Sequence, residues 1–245
     1  MRPVTRTIEL AEMALAVPLS ASQIEAACRL HLHLKQWRSS DAALAKLNQD
    51  VTGFGPEACL LKCVAVNTLY GTQVLAILRM AEHVCQIMRQ TAANQAGREI
   101  VMRIAALPTG GDEKQRKFVS FAAKFCHFFI DPERFPIYDE AARDVLKLHL
   151  GEEALAANAP DPYTAFGTNL SRLRSLAKIQ GAGRDLDRYL WITGMYMKWL
   201  RLKEKPKQQM NVELRTMFQN PSAAEAAELN ALLPSNLVRT SKGAV

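Results

Sequence analysis

The chain has 245 residues, 49% of them hydrophobic, with 31 Lys and Arg against 24 Asp and Glu, for a net charge of +7. That length and apolar content exclude a disordered chain and suffice for one large core or for two small helical lobes sharing a cleft. No run of 18 apolar residues occurs, and Met1 to Glu12 carries charges where an export signal has its apolar run, so a cytosolic chain without membrane spans is expected.

Glycine and proline cut the sequence into helical lengths, at Gly53 to Pro56, Pro108 to Gly111, Pro132 to Pro136, Pro160 with Pro162, Gly181 to Gly183, Pro206, Pro221 and Pro234. A first helix, Gln23 to Leu34, follows a capping Ser20 or Ser22. In the next stretch Leu60, Leu61, Val64, Val66, Leu69, Leu75, Leu78 and Ala81 recur at helical spacing. Asn67, Tyr70 and Thr72 punctuate that helix, and Gly71 invites a kink. Residues 104–150 read as helix, glycine turn, helix, proline loop, helix, with Lys117 to Phe129 an apolar helix and Asp139 placed to cap Glu140 to Leu148. Asp185 is expected to cap Leu186 to Leu202. Lys203 to Lys207 is a basic break, Ser222 to Leu233 a short alanine-rich helix, and Ser235 to Val245 a loose tail. No segment alternates long enough to argue for a sheet. The expectation is an all-α fold of two lobes with a cleft between them, a main unit over 1–205 and a C-terminal extension over 206–245.

Five scattered cysteines, Cys28, Cys59, Cys63, Cys85 and Cys126, suit reduced core thiols. Cys59 and Cys63 are one helical turn apart, but no second Cys or His pair completes a tetrahedral site, so no metal and no cofactor are expected. The positive charge favours a polyanionic partner. Phosphate-binding and dinucleotide glycine loops, H-E-x-x-H and G-x-S-x-G are all absent.

Leu107-Pro108-Thr109-Gly110-Gly111, the apolar helix after it, the proline loop and Phe135-Pro136-Ile137-Tyr138-Asp139 occur in an order that resembles the helix-hairpin-helix DNA glycosylases. Thr109 stands where that superfamily has its first hairpin glycine. The resemblance covers roughly a quarter of the chain. It implies a two-lobed helical enzyme that flips a damaged or modified base out of double-stranded DNA and cuts its N-glycosidic bond. It also implies that Thr109, Gly110 and Gly111, with Lys114 and Arg116 beyond them, grip the DNA backbone.

The same resemblance makes Asp139 the catalytic carboxylate. An ionised carboxylate near the anomeric carbon stabilises the positive charge that builds as the bond breaks; equally, an aspartate before a helix is a plain cap. Family members that also cut the strand carry a lysine whose place falls near Ser120. Lys117 lies one turn before it and Lys124 one turn after, which favours water as the nucleophile and leaves both lysines as candidates. On its apolar helix Lys124 either snorkels out or meets an anion, DNA phosphate or Asp139. Asn67, Tyr70, Tyr138, His127 and Trp191 are candidates for the base pocket, with packing roles as the alternative reading for each. Lys198, Arg201, Lys203, Lys205 and Lys207 could follow a phosphate backbone. A specialised substrate such as a modified phage base, and a monomer, are expected. The rival reading is a non-catalytic helical module that binds nucleic acid or protein through the same basic surface.

Overall fold

The computed structural model describes residues 14–108, 117–152, 160–202 and 210–234. Within them the fold is all-α, with no strand. In chain order the helices are α1 (Ala21–His33), α2 (Lys35–Asp50), α3 (Pro56–Leu69), α4 (Ile77–Gln90), α5 (Glu99–Ala105), α6 (Val119–Phe129), α7 (Glu140–Leu150), α8 (Pro162–Leu176), α9 (Gly183–Arg201), α10 (Val212–Gln219) and α11 (Ala223–Leu232), with one 3₁₀ turn at Ala93–Gln95.

Two helices organise the packing. α6 is buried on almost every side, Phe121, Phe125 and Phe129 included, and packs against α5, α3 and α2. α9 packs against α7 on one flank and α1 on another, and α11 covers α1. The approach of α9 to α7 requires Gly194, because a Cβ there would lie 2.3 Å from the Ala141 carbonyl oxygen. Leu214, Met217, Phe218, Leu229 and Leu232 of α10 and α11 belong to the same continuous core as α6 and α9. No helix of the described residues is long and apolar enough to cross a membrane.

Capping explains several boundaries. Ser20 closes a capping box with Gln23, Asp139 accepts the Ala142 amide at 2.9 Å, and Ser222 pairs with Glu225. Asp185 is not the cap of α9. That helix begins two residues earlier, where the Glu133 carboxylate accepts the Gly183 amide at 2.8 Å, and Asp185 falls in its first turn, paired with Arg188. The long periodic stretch after Pro56 is two helices rather than one kinked helix. Gly71 and Gln73 both adopt left-handed backbone (φ +57° each) in the connecting loop. Cys59, Cys63, Cys85 and Cys126 are buried free thiols, Cys28 is half-buried, and burial raises the Cys59 pKa to about 12.

Candidate active site

The site is built where the proline loop delivers the start of α7 against α6 and α9. Four contacts hold that loop. Asp131 Oδ1 accepts the amides of Glu133 and Arg134 at 2.9 and 3.2 Å, Arg134 donates to the carbonyls of Asn94 and Ala96, His127 Nδ1 bonds the Phe135 carbonyl at 2.9 Å, and Tyr163 donates to the Pro136 carbonyl at 3.1 Å. A loop tied at successive carbonyls fixes the residue that follows it, Asp139.

Asp139 does two things at once. One oxygen caps α7 through Ala142, and the other lies 3.6 Å from Lys124 Nζ. Lys124 does not snorkel out: it is 5% exposed, donates to Ser120 Oγ at 2.8 Å and lies 5.9 Å from the centre of the Tyr70 ring. The amine therefore reaches back one turn, to Ser120. Burial pulls the Lys124 pKa below the usual lysine value, with Asp139 opposing.

This pair lies along a groove of about 1050 Å³. Lys117, Arg143, Lys198 and Arg201 stand along it, which gives it a basic rim, although Lys198 and Arg201 also face Glu140 and Asp144 of α7 at 3.5 and 3.3 Å. Beside the groove is a smaller cavity of about 40 Å³, with room for water but not for a nucleobase. Asp139, Tyr70, Trp37 and Trp191 line both, so this aromatic wall separates one from the other. Trp37 and Trp191 meet edge-on with ring centres 4.5 Å apart.

Behind the wall is a buried polar network. Tyr70 Oη and Arg184 both donate to Asp41, Arg184 also meets His127 Nε2, and His31 Nε2 is 3.8 Å from Asp41. Burial lowers the His127 pKa to about 3 and the His31 pKa to about 4, with Arg184 adding to the first and Asp41 opposing the second. Both rings are neutral at pH 7. Burial works against the Arg184 charge, but Asp41, Tyr70 and Asp187 together outweigh it and hold the guanidinium ionised. Asp187 is different: burial raises its pKa to about 8 against the pull of Arg184 and of the Ile137 backbone amide, and its oxygens have no side-chain hydrogen-bond partner among the described residues.

The sequence candidates divide accordingly. Asp139, Lys124, Lys117, Tyr70, Tyr138 and Trp191 come together on the groove. Tyr138 packs its ring edge-on against Phe166, and its hydroxyl accepts from Arg143. His127 stands behind the cavity wall rather than in it. Asn67 lines neither space; its amide bridges Val74 and Thr72 and holds the loop between α3 and α4. Thr109, Gly110, Gly111, Lys114, Arg116, Lys203, Lys205 and Lys207 lie outside the described residues. Trp37, Asp41, Arg184, Asp187 and Arg188 were not anticipated. The one available signal was Asp187 four residues before Trp191, which puts an acid on the same helix face as the aromatic.

The fold and site define an all-α protein with a buried lysine beside a half-buried carboxylate along a groove with a basic rim. A family model described as the HI_0787_N N-terminal domain matches residues 23–134, a little under half of the chain, ending just before the α7 segment that carries Asp139. No curated protein and no solved structure matches.

Proposed function

We propose that the protein is a DNA glycosylase that flips out a damaged or modified base and cuts its N-glycosidic bond with Asp139 at the reacting centre. The observation that carries this reading is the pairing of the buried Lys124 with the half-buried Asp139 along a groove with a basic rim. In such a groove phosphates are held by Lys117, Arg143, Lys198 and Arg201, and the nucleotide sugar comes to the floor. There the Asp139 carboxylate stabilises developing positive charge in partly desolvated surroundings. A helix cap alone has no need of a buried ammonium 3.6 Å away or of a cavity beside it. That favours catalysis over the non-catalytic module.

Water attack leaves an abasic site. A second course has its own support: Lys124, with its lowered pKa, supplies neutral amine more readily than an exposed lysine, and its Nζ stands beside Asp139. The test incubates the full chain with duplexes carrying damaged or modified bases, and with phage DNA rich in modified bases, with and without borohydride. Abasic sites that vanish in Asp139→Asn support the proposal. Borohydride-trapped adducts lost in Lys124→Met assign the amine; abasic sites with no adduct assign water. DNA binding with no base release from any substrate would refute the enzyme and leave the binding module.

A further inference from the structure

Arg184 joins the two supports that hold Lys124 and Asp139 in place. It stands in the first turn of α9, its side chain 21% exposed, and its guanidinium donates to acceptors on two other helices, the Asp41 carboxylate of α2 and His127 Nε2 of α6. Each acceptor has a second task. The other oxygen of Asp41 accepts the Tyr70 hydroxyl, and the Tyr70 ring lies 5.9 Å from Lys124 Nζ. That ring also packs 5.1 Å from the Phe128 ring, over which Arg184 stands at 5.2 Å. His127, with Nε2 accepting from Arg184, turns its Nδ1 hydrogen to the Phe135 carbonyl at 2.9 Å, in the loop that ends at Asp139. One branch therefore ends against the amine and the other in the loop that delivers the carboxylate. Arg184, Asp41 and His127 do not themselves line the groove.

We propose that Arg184 is a positioning residue for base release, setting the separation of Lys124 and Asp139 through these two branches; the assignment rests on the glycosylase reading above. A guanidinium is a planar fork that serves two acceptors at fixed angles, whereas an ammonium is a point charge that draws to either without fixing their relative place. Both branches depend on that fork. Asp41, its side chain 18% exposed, loses its paired cation when Arg184 is removed, and Tyr70 then faces a carboxylate that is no longer held. His127 without a donor at Nε2 is free to carry its own hydrogen there, which takes the donor away from the Phe135 carbonyl. Misplacing reacting groups by about 1 Å costs on the order of 10²-fold in rate, so a residue outside the groove controls the chemistry by holding its walls.

The experiment measures single-turnover release of the base that the wild type cuts fastest, together with the duplex Kd, at a temperature where every variant is folded. Arg184→Lys should release it about tenfold and Arg184→Met about a hundredfold more slowly, with Kd within about twofold of wild type because the groove keeps its lining. Tyr70→Phe cuts one branch and keeps the ring. Its own loss in rate should largely disappear beside Arg184→Met or Arg184→Lys, where that branch is already cut. Unchanged rates in both Arg184 variants, losses confined to Kd, or a Tyr70→Phe loss undiminished in the double variants overturn the proposal. Should Arg184→Met fail to fold, Arg184→Lys and its double variant with Tyr70→Phe decide. If the wild type releases no base, the glycosylase reading fails, and urea midpoints test Arg184 separately. The non-additivity of Lys124→Met and Asp139→Asn should fall by at least about half in the Arg184→Lys background. That fall keeps Arg184 as the holder of the pair and discards the excision; an undiminished non-additivity discards both.

Discussion

Removing the Asp139 charge while keeping its cap isolates what the Lys124 pair contributes. Asn caps a helix about as well as Asp, so Asp139→Asn retains the bond from the Ala142 amide and withdraws only the anion facing Lys124. Losing the partner of a fully buried ion costs about 3–5 kcal/mol. Two features reduce that figure here. The Asp139 side chain is 19% exposed, and Lys124, whose pKa burial has already lowered, can shed its proton. The expected loss is therefore about 1–3 kcal/mol. Asp139→Ala should cost about 1 kcal/mol more, the value of the cap. Lys124→Met removes the ion that needs the partner, so the double variant should be more stable than the sum of the single losses by at least about 1 kcal/mol. Urea titrations of the four proteins, at constant slope, measure this directly. Additivity within about 0.3–0.5 kcal/mol would refute the pairing, and with it the argument that the site holds a compensated buried charge. Base release by Asp139→Asn should fall about 10²- to 10³-fold whatever the stability result.

Asp187→Asn should make the protein more stable at neutral pH. The native carboxyl binds its proton up to about pH 8 and the unfolded one only to 3.8, so wild-type stability falls across that window by about 1.4 kcal/mol per pH unit. The advantage of the variant in thermal melts should be absent near pH 4 and reach its full value near pH 8; a pH-independent difference contradicts the burial argument. Gly194→Ala drives a methyl into the Ala141 backbone and should cost at least about 1–3 kcal/mol by chemical denaturation, while shifting the start of α7 and slowing base release. Lys117→Glu and Arg143→Glu, tested by DNA binding from 50 to 200 mM salt, should each weaken binding regardless of sequence and lower the salt slope by about one. An unchanged slope removes these residues from the DNA path.

The helices were legible because their signals are local. Ser20 with Gln23, Asp139 before Glu140 and Ser222 with Glu225 are caps that a reader of the chain can find, and the structure places helices behind all three. Where the boundary depended on distant partners the reading failed. α9 starts at Gly183 because Glu133, fifty residues away, accepts that amide, and no pattern around Asp185 reports it. Periodicity carried across residues 70–76 because Val74 and Leu75 keep an apolar character that fits a helix, yet the Asn67 side chain bonds Val74 and Thr72 and holds a loop there. The same limit governed the site. Lys124 and Asp139 were visible as an odd lysine on an apolar helix and a cap after prolines. Asp41, Arg184 and Asp187 lie on amphipathic helices where an acid or an arginine looks solvated; only the meeting of α2, α6 and α9 turns them inward.

Two carboxyl groups line one cavity in opposite surroundings. Asp139 receives a helix amide and faces an ammonium, which suits an anion placed to oppose developing positive charge. Asp187 has no side-chain hydrogen-bond partner among the described residues, is 6% exposed, and keeps its proton past neutrality. The environments that separate them come from different parts of the chain, the proline loop with α6 for Asp139 and the buried face of α9 for Asp187. Gly194, by letting α9 close on α7, brings the two within one cavity.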